Sequence, residues 1–167
     1  MKEKVEKLVI IILTLILFSL IIFSVFSFIR KKECEKVQIV YNVENKEVIY
    51  EQSVSDSIIG AIDTKIEQKI NVKGKYINTI GIKFATYDRI NDAIYRFVIK
   101  KGDEFIVNYE FNSKDVKNSE YTYFQFNDIL IDDDYVFVIE ALSISADNII
   151  TAYENSSTKE LTYILYK

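Results

Sequence analysis

The chain has 167 residues, with no histidine, no proline and a single cysteine, Cys34. Histidine is the commonest general base and zinc ligand, and one thiol cannot form an intrachain disulfide or a thiolate metal cluster. Residues 1–36 hold seven Lys/Arg and four Asp/Glu, a net charge of +3, whereas residues 37–167 hold fourteen and twenty-one, a net charge of −7. The acidic part disfavours nucleic acid as a partner but is compatible with a neutral sugar, a cationic partner or a divalent metal.

A short N-terminal tail, residues 1–7, precedes an uncharged stretch over residues 8–29. Eighteen of these 22 residues are Leu, Ile, Val or Phe. As a helix the stretch would be roughly 33 Å long, which is enough to cross the hydrocarbon core of a bilayer. A cleaved signal peptide would have a shorter apolar region and a small-residue cleavage site. The pattern therefore predicts a retained single-pass transmembrane helix that contacts the lipid bilayer.

A basic juxtamembrane linker, residues 30–36, follows the predicted span. Lysines also precede the span, so the positive charges on its two sides are nearly balanced and do not fix the orientation. We expect a cell-membrane protein whose C-terminal domain, residues 37–167, is extracytoplasmic.

Ten short runs of alternating apolar and polar residues fill the C-terminal domain, and about nine strands are predicted from them. The runs lie at residues 36–42, 46–52, 65–72, 80–87, 93–101, 104–111, 121–126, 135–142, 148–154 and 161–167. Such a series, joined by polar turns, is typical of an antiparallel sandwich or barrel. The first two runs look like a hairpin, and the apolar run 135–142 is typical of a central strand.

The alternation also predicts which residues share a face. One face of the strand at 80–87 carries Ile80, Ile82, Phe84 and Thr86, and one face of the strand at 104–111 carries Phe105, Val107, Tyr109 and Phe111. The strand at 121–126 has Thr122, Phe124 and Phe126 on one face and Tyr121, Tyr123 and Gln125 on the other. SIIGAID (57–63) or SKDVKN (113–118) could form one helical turn.

Four sequence stretches carry a resemblance to a known group of domains. They are IEQKI (66–70), GIKFATYDRIN (81–91), VKNSEYTYFQF (116–126) and DNIITAY (147–153). Residues 65–153 thereby resemble jelly-roll-like β-sandwich domains of bacterial envelope proteins, which often accompany membrane proteins of surface-polysaccharide assembly. The resemblance implies an all-β, antiparallel jelly-roll-like sandwich after the N-terminal transmembrane helix. Asn118-Ser119 replaces the Asp-Asn of that group, and no multi-span or catalytic partner module is expected from the residues of this sequence.

The polar break after residue 86 supplies the first candidate ligand-binding residues, Tyr87, Arg89 and Asn91. A tyrosine ring can stack on the apolar face of a pyranose while Arg and Asn hydrogen-bond its hydroxyls. Alternatively, the arginine ties the loop to carbonyls or to Asp88 or Asp92, and Asn91 forms a turn.

A second group of candidate ligand-binding residues, Asn148, Thr151 and Tyr153, lies in the last motif-bearing strand and could complete the same site. The acidic turn of residues 132–134 could hold a structural calcium ion, but it lacks EF-hand spacing and a solvated turn is the favoured interpretation. No catalytic motif is present, so no enzyme activity, cofactor or catalytic metal is expected.

Together these features predict a binding or interaction module for surface glycan or for an envelope membrane protein. The alternative is a non-catalytic structural subunit of a larger membrane complex. A hydrolase would require a cleft with two converging carboxylates, for which no sequence motif is found.

Overall fold

A computed structural model describes residues 14–22, 37–145 and 148–167 of the chain. Residues 14–22 form a helix whose side chains are exposed. The rest of the predicted span, the N-terminal tail, the basic linker and Cys34 lie outside the described residues. Over the ranges that the structure describes, no helix is long and apolar enough to cross a membrane. The transmembrane helix over residues 8–29 therefore stays a prediction.

Residues 37–167 cluster as one unit and are built from strands. The eleven strands are β1 (Gln38–Val40), β2 (Val48–Gln52), β3 (Ser57–Ile58), β4 (Lys65–Lys69), β5 (Lys75–Ala85), β6 (Ile94–Lys101), β7 (Glu104–Asn112), β8 (Tyr121–Ile131), β9 (Tyr135–Ser143), β10 (Thr151–Glu154) and β11 (Tyr163–Tyr166). A 3-10 turn at Ser113–Asp115 is capped by Asn112.

The strands form two antiparallel sheets in a sandwich-like arrangement. In the seven-stranded sheet the order is β1-β8-β5-β10-β3, and β11 pairs with both β5 and β2. In the four-stranded sheet the order is β4-β9-β6-β7. The predicted all-β antiparallel class is confirmed, and the apolar run at 135–142 is the central strand β9, as expected.

The core lies between the two sheets. Ile80, Ile82 and Phe84 are fully buried, as their alternation in β5 predicts. The rings of Phe97 in β6 and Phe124 in β8 stack across the sheets with centroids 4.3 Å apart and an interplanar angle of 8°. Both rings are fully buried, so this stack joins the two sheets at their apolar centre.

The buried hydroxyl group of Tyr95 connects two loop segments to this core by hydrogen bonds. The Tyr95 hydroxyl donates to the Ile62 carbonyl at 3.1 Å and accepts from the Ile150 amide at 3.2 Å. Burial raises the pKa of Tyr95, so the phenol stays protonated and can make both bonds.

The predicted hairpin of the first two strands is wrong. β1 pairs with β8, from Gln38 opposite Gln125 to Val40 opposite Tyr123, whereas β2 pairs with β11. The connection between them carries the Glu47 N–H and C=O groups, which pair with the backbone of Lys167. β8 and β11 both pair with β5, and the other edge of each is occupied by one of the first two strands, β1 on β8 and β2 on β11, so the two do not pair with each other.

The strand count and the helical turn at 57–63 also need correction. The described residues contain eleven strands where about nine were expected: each of the ten runs contains a strand, and Ser57 and Ile58 pair with β10 to form one more, β3. The amides of Ile59 and Ile62 then donate to the carbonyls of Ala152 and Ile150, which keeps the segment extended. The 3-10 turn falls in the other proposed stretch, 113–118.

Phe105 was expected on the core face with Val107, but 61 % of its surface is exposed. Ile99 lies opposite Val107, and the next residue, Lys100, lies opposite Phe105. Ile106 is therefore an extra residue in β7, a bulge that reverses the alternation of side chains beyond it. Two-residue periodicity alone does not reveal such a bulge.

Candidate functional site

The polar break after β5 is a loop whose backbone is stabilised by Asn118. Tyr87 and Asp88 have φ angles of 56° and 55°, in the left-handed region. The Asn118 Oδ1 accepts from the amides of Thr86 at 2.9 Å and Tyr87 at 3.2 Å. Its Nδ2 donates to Asp88 Oδ1 at 2.8 Å. Asn118 therefore stabilises an otherwise costly loop conformation.

Arg89 packs within this loop. Its amide donates to the Thr86 carbonyl at 3.2 Å, and its guanidinium carbon lies 5.4 Å from the centroid of the Tyr87 ring. Its Nε also points to the Thr86 carbonyl, at 3.5 Å. Within the described residues its guanidinium forms no ion pair with a carboxylate. Both side chains remain exposed, so the Tyr87–Arg89 pair is accessible to a partner.

Asn91 is placed differently from the two residues with which it was grouped. It is only 1 % exposed, and among the described residues neither atom of its amide has a hydrogen-bond partner. Ile90, directly before it, is 90 % exposed. Asn91 is therefore not placed to contact a ligand on the surface with Tyr87 and Arg89.

The second predicted group is divided between two environments. Thr151 is buried, and its hydroxyl donates to the Ile59 carbonyl at 2.6 Å, with the Gly60 carbonyl also within range at 3.0 Å. Asn148 donates from its side-chain amide to Ser145 Oγ at 2.9 Å within a turn. Tyr153 faces outward: its hydroxyl lies 2.7 Å from Ser119 Oγ, and the Lys83 ammonium is 4.8 Å from its ring centroid.

The structure thus brings Tyr87 and Tyr153 to neighbouring positions. Asn118 binds the Tyr87 amide and the next residue, Ser119, contacts the Tyr153 hydroxyl. The three motif stretches that contain these residues therefore meet at one end of the seven-stranded sheet.

The acidic turn of residues 132–134 is matched by lysines. The pairs are Asp132–Lys101 at 2.6 Å, Asp133–Lys73 at 2.5 Å and Asp134–Lys69 at 3.9 Å. The hydrogen bond from Lys73 lowers the pKa of Asp133. Across residues 14–22, 37–145 and 148–167, no group of three or more His, Cys, Asp or Glu side chains is arranged to hold a metal ion. Each of the three carboxylates of the turn therefore lies within ion-pair distance of a lysine ammonium group.

A surface that was not predicted lies on the outer face of the seven-stranded sheet. A groove of about 390 Å³ runs beside β8 and is lined by Tyr41, Lys117, Ser119, Glu120, Tyr121 and Tyr123, among others. Tyr121 and Tyr123 alternate with the core residues Thr122 and Phe124, so their rings face outward. We refer to Tyr121 and Tyr123, which are half-buried, and Tyr166, which is 7 % exposed, as the tyrosine face.

Gly81 allows the ring of Tyr123, the central ring of the tyrosine face, to lie directly against the sheet. Gly81 lies opposite Tyr123 in the β5–β8 pairing. A Cβ atom at Gly81 would lie 2.7 Å from both Cδ1 and Cε1 of Tyr123, so the ring rests directly on the glycine backbone. A ring seated in this way lies against the sheet and turns its other side outward.

The two flanking rings pack against Tyr123. Its centroid is 6.1 Å from that of Tyr121, with near-parallel planes, and 6.0 Å from that of Tyr166, edge to face. Burial, with a smaller contribution from the Glu51 charge, raises the pKa of Tyr121 and of Tyr166 to about 12. The phenols are therefore neutral hydrogen-bonding groups at physiological pH.

The outer face of the four-stranded sheet has a different character. Glu67 pairs with Lys65 and Lys100, each at 3.0 Å, and Arg96 lies between Glu110 and Glu140. These charges neutralise one another on the surface. The contrast identifies the tyrosine face, with its groove, as the better candidate for ligand contact.

Two regions of the described surface can therefore contact a ligand, the Tyr87–Arg89 loop and the tyrosine face. Ser119 connects them, since it lines the groove and contacts Tyr153 beside the loop. Comparison of the chain with protein-family models, with curated proteins and with solved structures found no match in any of the three.

Proposed function

We propose that this protein is a non-catalytic glycan-binding module of a cell envelope, with a jelly-roll-like sandwich held at the membrane by a helix over residues 8–29. The observation that carries the proposal is the Tyr123 ring, which lies against the sheet over Gly81 with its outer side beside a groove. An aromatic ring held flat on a rigid sheet is suited to stacking on the apolar face of a pyranose.

The groove beside this ring carries the polar groups that a sugar requires. Ser119 supplies a hydroxyl, and Lys117 and Glu120 supply a donor and an acceptor, 3.4 Å apart as an exposed ion pair. Hydroxyl groups of a sugar both donate and accept hydrogen bonds, so a mixed lining of this kind matches them better than a groove of one charge. We assign Tyr87, Arg89 and Tyr153 to the end of the same surface, where a longer glycan would make further contacts.

The test is retention of the full chain, kept in a polyoxyethylene detergent, on insoluble chitin, cellulose and purified bacterial cell wall. We expect retention on at least one polymer, and we expect Tyr123→Ala to weaken it by roughly 5- to 30-fold, as loss of about 1–2 kcal/mol of ring stacking requires.

Tyr76→Ala is the matched control, because Tyr76 is 48 % exposed, has Lys167 over its ring and lies away from the groove. Equal losses for the two variants would show that the tyrosine face has no special role. Retention on none of the three polymers would instead favour a structural subunit of a membrane complex.

The location is tested through Cys34, the only thiol in the chain. We expect a membrane-impermeant maleimide to label Cys34 in intact cells, because the proposal places the domain outside the membrane. Cys34→Ser gives the background, and lysed cells give full labelling. Labelling that occurs only after lysis would place the domain in the cytoplasm and contradict a role at the cell surface.

A further inference from the structure

Glu51 faces the same side of the sheet as the tyrosine face. In the pairing register Glu51 lies opposite Ile164, Ile164 opposite Gly81, Gly81 opposite Tyr123 and Tyr123 opposite Val40. These residues form one row across five strands. Glu51 is therefore separated from Gly81 by two strand spacings, about 10 Å.

Among the residues that the structure describes, no hydrogen bond or ion pair engages the Glu51 side chain, which is exposed. Several other surface carboxylates are paired: Glu67 contacts two lysines, and the acidic turn of residues 132–134 contacts three. Glu51 thus presents an unpaired carboxylate beside aromatic rings.

The rings near Glu51 reinforce its attraction for a cation. Tyr166 lies two residues beyond Ile164 in β11, so it is a diagonal neighbour of Glu51 on the same face. The Glu51 charge contributes to the raised pKa of both Tyr121 and Tyr166, which indicates that it acts on both hydroxyls. The negative face of a neutral phenol ring attracts cations, as a carboxylate does.

We propose that Glu51 forms a cation subsite with Tyr166 and Tyr121, and that the glycan bound by the tyrosine face carries an ammonium group. The inference rests on the proposed function. The sugar ring stacks on the outer side of Tyr123, and its ammonium group extends along the row, past Ile164, to the Glu51 carboxylate. The net charge of −7 on residues 37–167 also favours a cationic ligand over an anionic one.

The experiment compares two probes of equal length, a glucosamine oligomer and its N-acetylated counterpart, at a pH at which the free amine is protonated. The full chain is held in a polyoxyethylene detergent, which contains neither sugar nor quaternary ammonium. We expect the amine oligomer to bind roughly 3- to 10-fold more tightly than the acetylated one. This preference should decrease as salt is added, since the charges are exposed.

Glu51→Gln should remove the preference and leave the affinity for the acetylated oligomer within about twofold of its original value. Glu104→Gln is the matched control, because Glu104 is an exposed carboxylate in β7 of the other sheet. A preference that survives Glu51→Gln, or is lost equally in Glu104→Gln, would overturn the subsite.

Three further outcomes separate this inference from the proposed function. Equal binding of both oligomers, weakened by Tyr123→Ala, would overturn the subsite and support the glycan module. If the protein binds neither oligomer but is retained on another polymer, the ammonium-bearing ligand is overturned and the glycan-binding function stands. Binding of free choline, lost in Glu51→Gln, would support the subsite and show that an ammonium group suffices without the sugar.

Discussion

Replacing Phe97 by alanine is expected to lower the free energy of unfolding by about 3–5 kcal/mol. The ring of Phe97 is fully buried and stacks on Phe124 of the opposite sheet at 4.3 Å, so its removal leaves a cavity where the two sheets meet. For a domain of this size we expect a melting temperature lower by roughly 10–20 °C, measured by thermal unfolding of the full chain.

Phe105→Ala is the matched control for this loss, because the same substitution is made at a ring that is 61 % exposed. We expect it to change the free energy of unfolding by less than about 0.5 kcal/mol. The variant Phe97→Leu should recover much of the stability, since it refills most of the cavity. Similar losses for Phe97→Ala and Phe105→Ala would contradict the position of the core between the sheets.

The second large effect is expected at Gly81. An alanine Cβ there would lie 2.7 Å from two carbons of the Tyr123 ring, so the ring must lift from the sheet. We expect Gly81→Ala to weaken glycan retention about as much as Tyr123→Ala does. It should also lower the free energy of unfolding by about 1–3 kcal/mol through overpacking, measured by chemical denaturation.

Two comparisons isolate the clash with the ring. Gly60→Ala introduces the same methyl group where no atom lies within 4 Å, and it should leave retention and stability nearly unchanged. In a Tyr123→Ala background, Gly81→Ala should no longer destabilise and could stabilise by about 0.5–1 kcal/mol, because glycine is unfavourable in a strand. Additive effects of the two substitutions would show that the ring does not rest on Gly81.

Part of the candidate site could be predicted from the sequence. The alternation in residues 121–126 already sets Tyr121 and Tyr123 opposite Phe124, so their outward direction was available. The sequence did not show that Tyr123 lies over Gly81, 42 positions earlier, since this depends on how β5 and β8 pair. Likewise, the backbone conformation of the loop after β5 depends on hydrogen bonds from Asn118, which lies in a different loop.

By itself, the sequence determined the all-β class and most of the faces of the strands, because side chains alternate with a period of two and apolar ones must leave water. Tertiary structure alone decided the partners of the strands. β2 pairs with β11, more than one hundred residues away, and β1 pairs with β8 rather than with its neighbour in the chain. Local alternation is the same whichever strand lies alongside, so only the joint packing of both sheets selects the pairing that places Glu51, Gly81 and Tyr123 in one row.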